Sequence, residues 1–215
     1  GLPDSPVLDV SQTSDGSLWT AHSGPGVFRL RPGEDRWEPV NAGLSSQHVL
    51  ALGRDGRDRL YAGTFGGGLW VLPFGGQSWQ PLPTLPATDI TAVATGPDDR
   101  LILIGTRGQG LWLSTDQGRS WAGESEIAGT VSSLLWRAED EAWAAEESGV
   151  LYRMQDNKWQ EVDFGPGFVP RTAVIIQDGT IFLIQGRTLL RSNPMKRDWE
   201  TVILPIELDR EHIVL

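Results

Sequence analysis

Arg59-Leu60-Tyr61-Ala62-Gly63-Thr64-Phe65-Gly66-Gly67-Gly68-Leu69-Trp70 holds two apolar runs joined by a glycine-rich link. Glycine supplies the positive φ that a tight hairpin needs, so the stretch reads as two short antiparallel strands about one turn. Asp55-Gly56, just upstream, is a second hairpin signal and sets another strand before it. Shifted by 42 residues the pattern returns. Val27-Phe28, Leu69-Trp70 and Leu111-Trp112 form one column, continued by Leu151-Tyr152 and Leu189-Leu190. Trp19, Tyr61, Leu103, Trp143 and Phe182 form a second, and Trp37, Trp79, Trp121, Trp159 and Trp199 a third, at intervals of 42, 42, 38 and 40.

A period near 40 residues with three or four short strands per repeat is that of a four-stranded propeller blade. The inner strands read as Val7 to Val10, His48 to Leu52, Asp89 to Val93, Thr130 to Trp136 and Thr172 to Ile176. No segment sustains a helical apolar period. The expectation is an all-β chain: a β-propeller of five four-stranded blades of about 41 residues. The expected blades are 5–42, 46–84, 88–127, 129–165 and 171–205, in a single domain spanning 1–215. Radial stacking buries both faces of each sheet against its neighbours, which makes the aromatic columns core. After the fifth repeat, Arg210-Glu211-His212-Ile213-Val214-Leu215 echoes Gln47-His48-Val49-Leu50. It reads as a surplus strand, either the start of a further blade, which is favoured, or a closing strand competing with Val7 to Val10.

The composition narrows function. The 215 residues carry 18 basic and 28 acidic side chains, a net charge of −10, which repels phosphate backbones and argues against a nucleic-acid partner. No apolar run approaches the roughly 18 residues of a membrane helix, so membrane insertion is not expected. With no cysteine, disulfides, thiolate metal sites and cysteine nucleophiles are excluded together. The chain opens on Gly1 rather than Met, leaving room for a removed targeting segment, and a bacterial extracytoplasmic location is favoured over a cytoplasmic one.

Ser114-Thr115-Asp116-Gln117-Gly118-Arg119-Ser120-Trp121 fits Ser/Thr-x-Asp-x-Gly-x-Ser/Thr-Trp and resembles the Asp-box of sialidase-like (BNR) repeats. The resemblance implies a turn between third and fourth strands, remote from the binding face, in which Ser114, Asp116, Gly118, Ser120 and Trp121 have structural roles. Eroded relatives end at Trp37, Trp79, Trp159 and Trp199. The combination of Asp15-Gly16-Ser17-Leu18-Trp19 with Gly26-Val27-Phe28, and its counterpart at 59–70, is similar to propeller repeats of two-component sensor ectodomains, photosystem II assembly-factor-like proteins and sortilin-type proteins. That likeness implies a ligand or protein docking platform.

By propeller topology, the links entering each blade and the hairpins between second and third strands share one face around the central channel. This places His48, Asp89, Arg107, Glu146, Arg187 and His212 there as candidate ligand-binding residues, with His22, Thr130, Glu147 and Thr172 beside them. A sialidase would need a nucleophilic tyrosine, yet Tyr61 and Tyr152 fall in the core columns. A glycoside hydrolase needs two facing carboxylates, for which Asp89 with Glu146 or Glu124 are the candidates. The three histidines, His22, His48 and His212, share no ligand spacing, and Asp98-Asp99 lacks further calcium ligands. No metal or cofactor is therefore expected. The expected function is a noncatalytic module that docks a protein partner or small ligand on the channel face; the alternative is a glycan-binding or glycoside-hydrolysing propeller.

Overall fold

The structure, a computed structural model, describes residues 1–83, 85–138, 140–162, 172–175, 180–185, 188–193 and 198–202. Every regular element among them is a strand. The first sheet contains β1 (Val7–Gln12), β2 (Leu18–His22), β3 (Gly26–Leu30) and β4 (Glu38–Pro39); the second β5 (Val49–Arg54), β6 (Leu60–Thr64), β7 (Gly68–Leu72) and β8 (Gln80–Pro81). The third contains β9 (Ile90–Thr95), β10 (Ile102–Thr106), β11 (Leu111–Ser114) and β12 (Ala122–Glu124). The fourth contains β13 (Val131–Ala138), β14 (Glu141–Glu146), β15 (Leu151–Gln155) and β16 (Lys158–Glu161); the fifth β17 (Thr172–Ile175), β18 (Ile181–Gln185), β19 (Thr188–Asn193) and β20 (Asp198–Val202). Each of the five sheets is an antiparallel meander in chain order, as expected of propeller blades. The expected strand at 210–215 lies outside the described residues.

The innermost strands β1, β5, β9, β13 and β17 pack in succession, so the core is a series of layers between sheets. In the first layer Trp19, Ala21 and Val27 meet Val49, Leu52, Leu60, Ala62 and Trp70. In the second, Tyr61 and Leu69 meet Ile90, Ile102 and Ile104. Strand alternation explains the split: Leu60 and Ala62 pack with the first sheet while Tyr61, between them, packs with the third, because successive side chains leave opposite faces of a strand. The column of Trp19, Tyr61, Leu103 and Trp143 is buried throughout.

A bulge recurs near the start of an inner strand in four sheets, at Leu8, Leu50, Thr91 and Ser132. An extra residue there sharpens the twist of a strand squeezed towards the centre of the molecule. Opposite ends of the sheets are built differently. At one end, the β11–β12 turn meets the β9–β10 turn, with Gln117 donating its N–H to the Arg100 carbonyl at 3.0 Å. The other end carries the β2–β3, β6–β7, β10–β11 and β14–β15 hairpins together with the links between blades.

Candidate functional site

At that second end, two hairpins are held by the same set of bonds. Thr64 Oγ1 donates to the Gly68 carbonyl and Thr106 Oγ1 to the Gly110 carbonyl, each at 2.7 Å. Trp70 Nε1 donates to the Gly67 carbonyl at 2.9 Å and Trp112 Nε1 to the Gln109 carbonyl at 3.0 Å. Gly110 sits at φ 69°, and a Cβ there would lie 2.0 Å from the Ile127 carbonyl oxygen, so no larger residue fits without moving the backbone. The loops are therefore fixed by their own strands, and the residues at their tips are presented rather than buried.

Those tips occupy one repeated slot: Ser23, Phe65, Arg107 and Glu147. The backbone N–H groups of Phe65, Arg107 and Glu147 donate to the carbonyls of His48, Asp89 and Thr130 at 2.8, 3.0 and 2.9 Å, extending each inner strand pair by one rung. Links between blades close the gaps. Ser23 Oγ lies 3.0 Å from His48 Nδ1, and Gly66 donates its N–H to Asp89 Oδ1 at 2.8 Å. Arg107 places its guanidinium carbon 5.8 Å from the centroid of the Phe65 ring. Asp89 and Arg107 of the third blade thus meet the Phe65–Gly66 tip of the second, while His48, whose carbonyl holds the Phe65 N–H, turns its ring to Ser23 of the first.

Phe65 was not among the sequence candidates, because it reads as part of a glycine-rich link. It is 47% exposed, unlike the column aromatics Trp19 and Tyr61. The signal was available in the period: Phe65 and Arg107 are 42 residues apart and so fill the same slot in adjacent blades.

The other candidates differ. Glu146 is buried; Oε1 accepts the Gly129 N–H at 2.9 Å and Oε2 the Ser148 hydroxyl at 2.9 Å, so it holds the entry to the fourth blade. His22 is fully buried and bonded to Ser5 Oγ and Thr20 Oγ1, which removes it from the face. Arg187 and His212 lie outside the described residues, as do the surroundings of the Thr172 side chain. Glu124 is raised from its ordinary value by burial and by the charge of Glu126. The Tyr61 phenol is buried, donates to Asp55 Oδ2 at 3.1 Å and is pushed far up by desolvation and then by the Asp55 charge, so it offers no nucleophile. Among the described residues no cluster of three or more acidic or histidine side chains could hold a metal ion, and no helix is long and apolar enough to cross a membrane.

At the other end, Ser114 closes β11, and Asp116, Gly118, Ser120 and Trp121 lie in the β11–β12 turn. Asp116 accepts from the Ser120 N–H at 2.8 Å and from its hydroxyl at 2.6 Å, and Ser114 Oγ accepts the Gly118 N–H at 2.8 Å. These bonds, those from Ser120 foremost, bring the Asp116 carboxyl down to about 2.

Sheets stacked radially, with an exposed residue cluster at the hairpin end, define this chain as a β-propeller. No protein-family model matches the sequence, and no curated protein matches it. Among solved structures it is similar to YCF48 bound to D1 peptide, at 18% identity and TM-score 0.72, covering 92% of this chain and 68% of that one. It is also similar to the GH74 xyloglucanase from Xanthomonas campestris, at 20% identity and TM-score 0.74, covering 96% of this chain but 38% of the other. A third likeness is the extracellular domain of a one-component system from B. thetaiotaomicron, at 12% identity and TM-score 0.74, covering 94% of this chain and 32% of that one. At such identities the likeness establishes the fold, which is shared by proteins of unlike activity.

Proposed function

We propose that this propeller is a noncatalytic docking module that holds a protein partner on the hairpin face, with His48, Phe65, Asp89 and Arg107 as its centre. The observation that carries the reading is Phe65: a rigid loop displays a large aromatic ring to solvent, capped by a cation, beside polar groups of two further blades. Aromatic and arginine side chains are the residue types that dominate binding energy at protein interfaces. A peptide-bound propeller among the similar structures supports the choice of partner class. The Asp-box-like turn at 114–121 has a structural role in this reading, since its carboxylate is committed to its own loop.

The hydrolase alternative fares worse on the same geometry. Glu146 uses both carboxylate oxygens within its loop, which removes one member of the Asp89–Glu146 pair and leaves that reading with Asp89 and Glu124 alone. The test is selection of a displayed library of random dodecapeptides against the full chain, followed by affinity measurement with Phe65→Ala. Peptides whose binding falls at least tenfold with Phe65→Ala support the docking face. Selected peptides that bind both proteins equally, or a face that yields none, overturn it.

A further inference from the structure

We infer that the Phe65–Arg107 pair recognises a carboxylate set next to an apolar or aromatic side chain, so that the partner segment is acidic and apolar together; this rests on the docking reading above. Arg107 belongs to an exposed loop tip, its backbone N–H is taken by the Asp89 carbonyl, and its guanidinium lies over the Phe65 ring. Among the described residues no carboxylate pairs with that guanidinium. Other arginines of the chain behave differently: Arg29, Arg54, Arg59 and Arg153 each reach a carboxylate within their own blade. Three of these, Arg29, Arg59 and Arg153, also lie over an aromatic ring of that blade. Arg107 has a ring, that of the neighbouring blade, and among the described residues lacks the acid.

The missing partner defines the ligand. A guanidinium is planar and offers five donors in a fork that matches a carboxylate, while its face remains stacked on an aromatic ring. Stacking also fixes the side chain before binding, which lowers the ordering cost. The remaining Phe65 surface then takes the neighbouring apolar group. The other ionisable side chains at least partly exposed at this end, among the described residues, are Asp4, His48, Asp89, Glu124, Glu126 and Glu147. Asp89 Oδ1 already accepts the Gly66 N–H, so it is anchored to the loop. Among the described residues Arg107 is the one arginine or lysine at this end, and a lone guanidinium on a chain of net charge −10 suits a singly charged carboxylate better than a phosphate dianion, which favours several cations.

The experiment separates this inference from the docking reading. The same dodecapeptide library is selected against the full chain, and chosen peptides are measured against Phe65→Ala, Arg107→Gln and Arg107→Lys, with thermal unfolding confirming each fold. The expected result is enrichment of Asp or Glu within two positions of Phe, Tyr, Trp or Leu. Affinity should fall at least tenfold with Arg107→Gln and by a smaller factor with Arg107→Lys, and Asp→Asn or Glu→Gln in the peptide should reproduce the loss. Peptides that need Phe65, lack the acid and ignore Arg107→Gln overturn the inference and leave the docking face standing. Preference for a phosphorylated over an acidic peptide, or displacement by glucuronate alone, also overturns it. Peptides insensitive to Phe65→Ala overturn both.

Discussion

Asp58, in the turn of the second blade, accepts the backbone N–H of Ser14, in the turn of the first, at 3.1 Å. Its second oxygen takes the Ser14 hydroxyl, and Arg54 donates to the first at 2.7 Å. One blade further on, Asp99 repeats the arrangement, accepting the Gly56 N–H at 2.7 Å. Asp58 and Asp99 both sit at φ 58°, a left-handed conformation that Asp tolerates better than most residues. Turn carboxylates therefore clasp successive blades at the end opposite the β2–β3, β6–β7 and β10–β11 hairpins, each tying an exposed backbone donor of one blade to the next.

Removing the clasp should cost stability without touching the face. Asp58→Ala leaves the Ser14 N–H, its hydroxyl and the Arg54 guanidinium without their acceptor, and bonds to charged groups contribute about 1.5–3 kcal/mol. Urea unfolding should show a loss of about that size, with peptide affinity unchanged. A loss below about 0.5 kcal/mol would place the clasp among surface contacts that contribute little.

Acid should weaken the same end. The Ser14 hydroxyl, against the opposing cost of burial, and then Arg54 hold Asp58 below its ordinary value; Asp15 is lowered by the Ser17 N–H and the Thr13 hydroxyl; Asp116 falls to about 2. A folded pKa below the unfolded one gives stability that is present above the ordinary Asp value of 3.8 and lost as pH falls through the folded value. Unfolding midpoints should drop between about pH 4 and pH 2, and Asp58→Asn should flatten that drop. A profile identical in wild type and Asp58→Asn would show that this carboxylate is not the titrating group.

Asp9 should respond with the opposite sign. Its carboxylate reaches from β1 to the second blade, Oδ2 accepting the Leu52 N–H at 2.7 Å, while Oδ1 takes the Val10 N–H at 2.7 Å. Burial raises its pKa, and these two bonds recover only part of the shift. A raised folded pKa contributes stability below the unfolded value that is lost as pH rises through the folded one, so at neutral pH the charge is a cost. Asn keeps an acceptor for Leu52 and removes that charge. Asp9→Asn should raise the urea midpoint at pH 7, with the gain shrinking as the pH approaches 4; an equal gain at both pH values would trace the effect to something other than ionisation.

Trp79 tests the register of the repeat. It is 2% exposed, packs with the first two blades and donates its indole N–H to the Val40 carbonyl at 2.7 Å. Trp79→Ala should cost about 3–5 kcal/mol, as large aromatic truncations do in a close-packed core. An unchanged unfolding midpoint would mean that this column does not lie between blades.

How much of this was readable beforehand follows from the scale of each signal. The columns through Trp19, Tyr61, Leu103 and Trp143 were legible because burial between sheets demands apolar residues at a fixed period, and five repeats make a period visible. The clasp was not, since Asp58 and Asp99 sit in turns where Asp already has a local reason to occur, and nothing local reveals a bond to a residue 44 or 43 positions away. Glu146 illustrates the converse: a loop acid reads as available chemistry until its two oxygens are seen committed to Gly129 and Ser148. Phe65 was hidden because exposure is a property of the fold, and an aromatic inside a glycine-rich link reads as part of the turn.

The same limit makes Val10 and Leu52 the sharpest comparison in the molecule. They lie 42 residues apart at matching positions, paired with Thr20 and Ala62 respectively, so the repeat predicts equal burial. Leu52 is 7% exposed because the first blade covers it, whereas Val10, on the outward side of that blade, is 59% exposed. If nothing covers that side in solution, Leu52→Ala should cost about 2–5 kcal/mol as a core truncation, while Val10→Ala should stay within about 0.5 kcal/mol. A loss above 1 kcal/mol for Val10→Ala, measured at several protein concentrations, would instead show the outward side to be covered. A concentration-dependent loss would point to a second copy, and a concentration-independent one to the chain's own residues beyond those described.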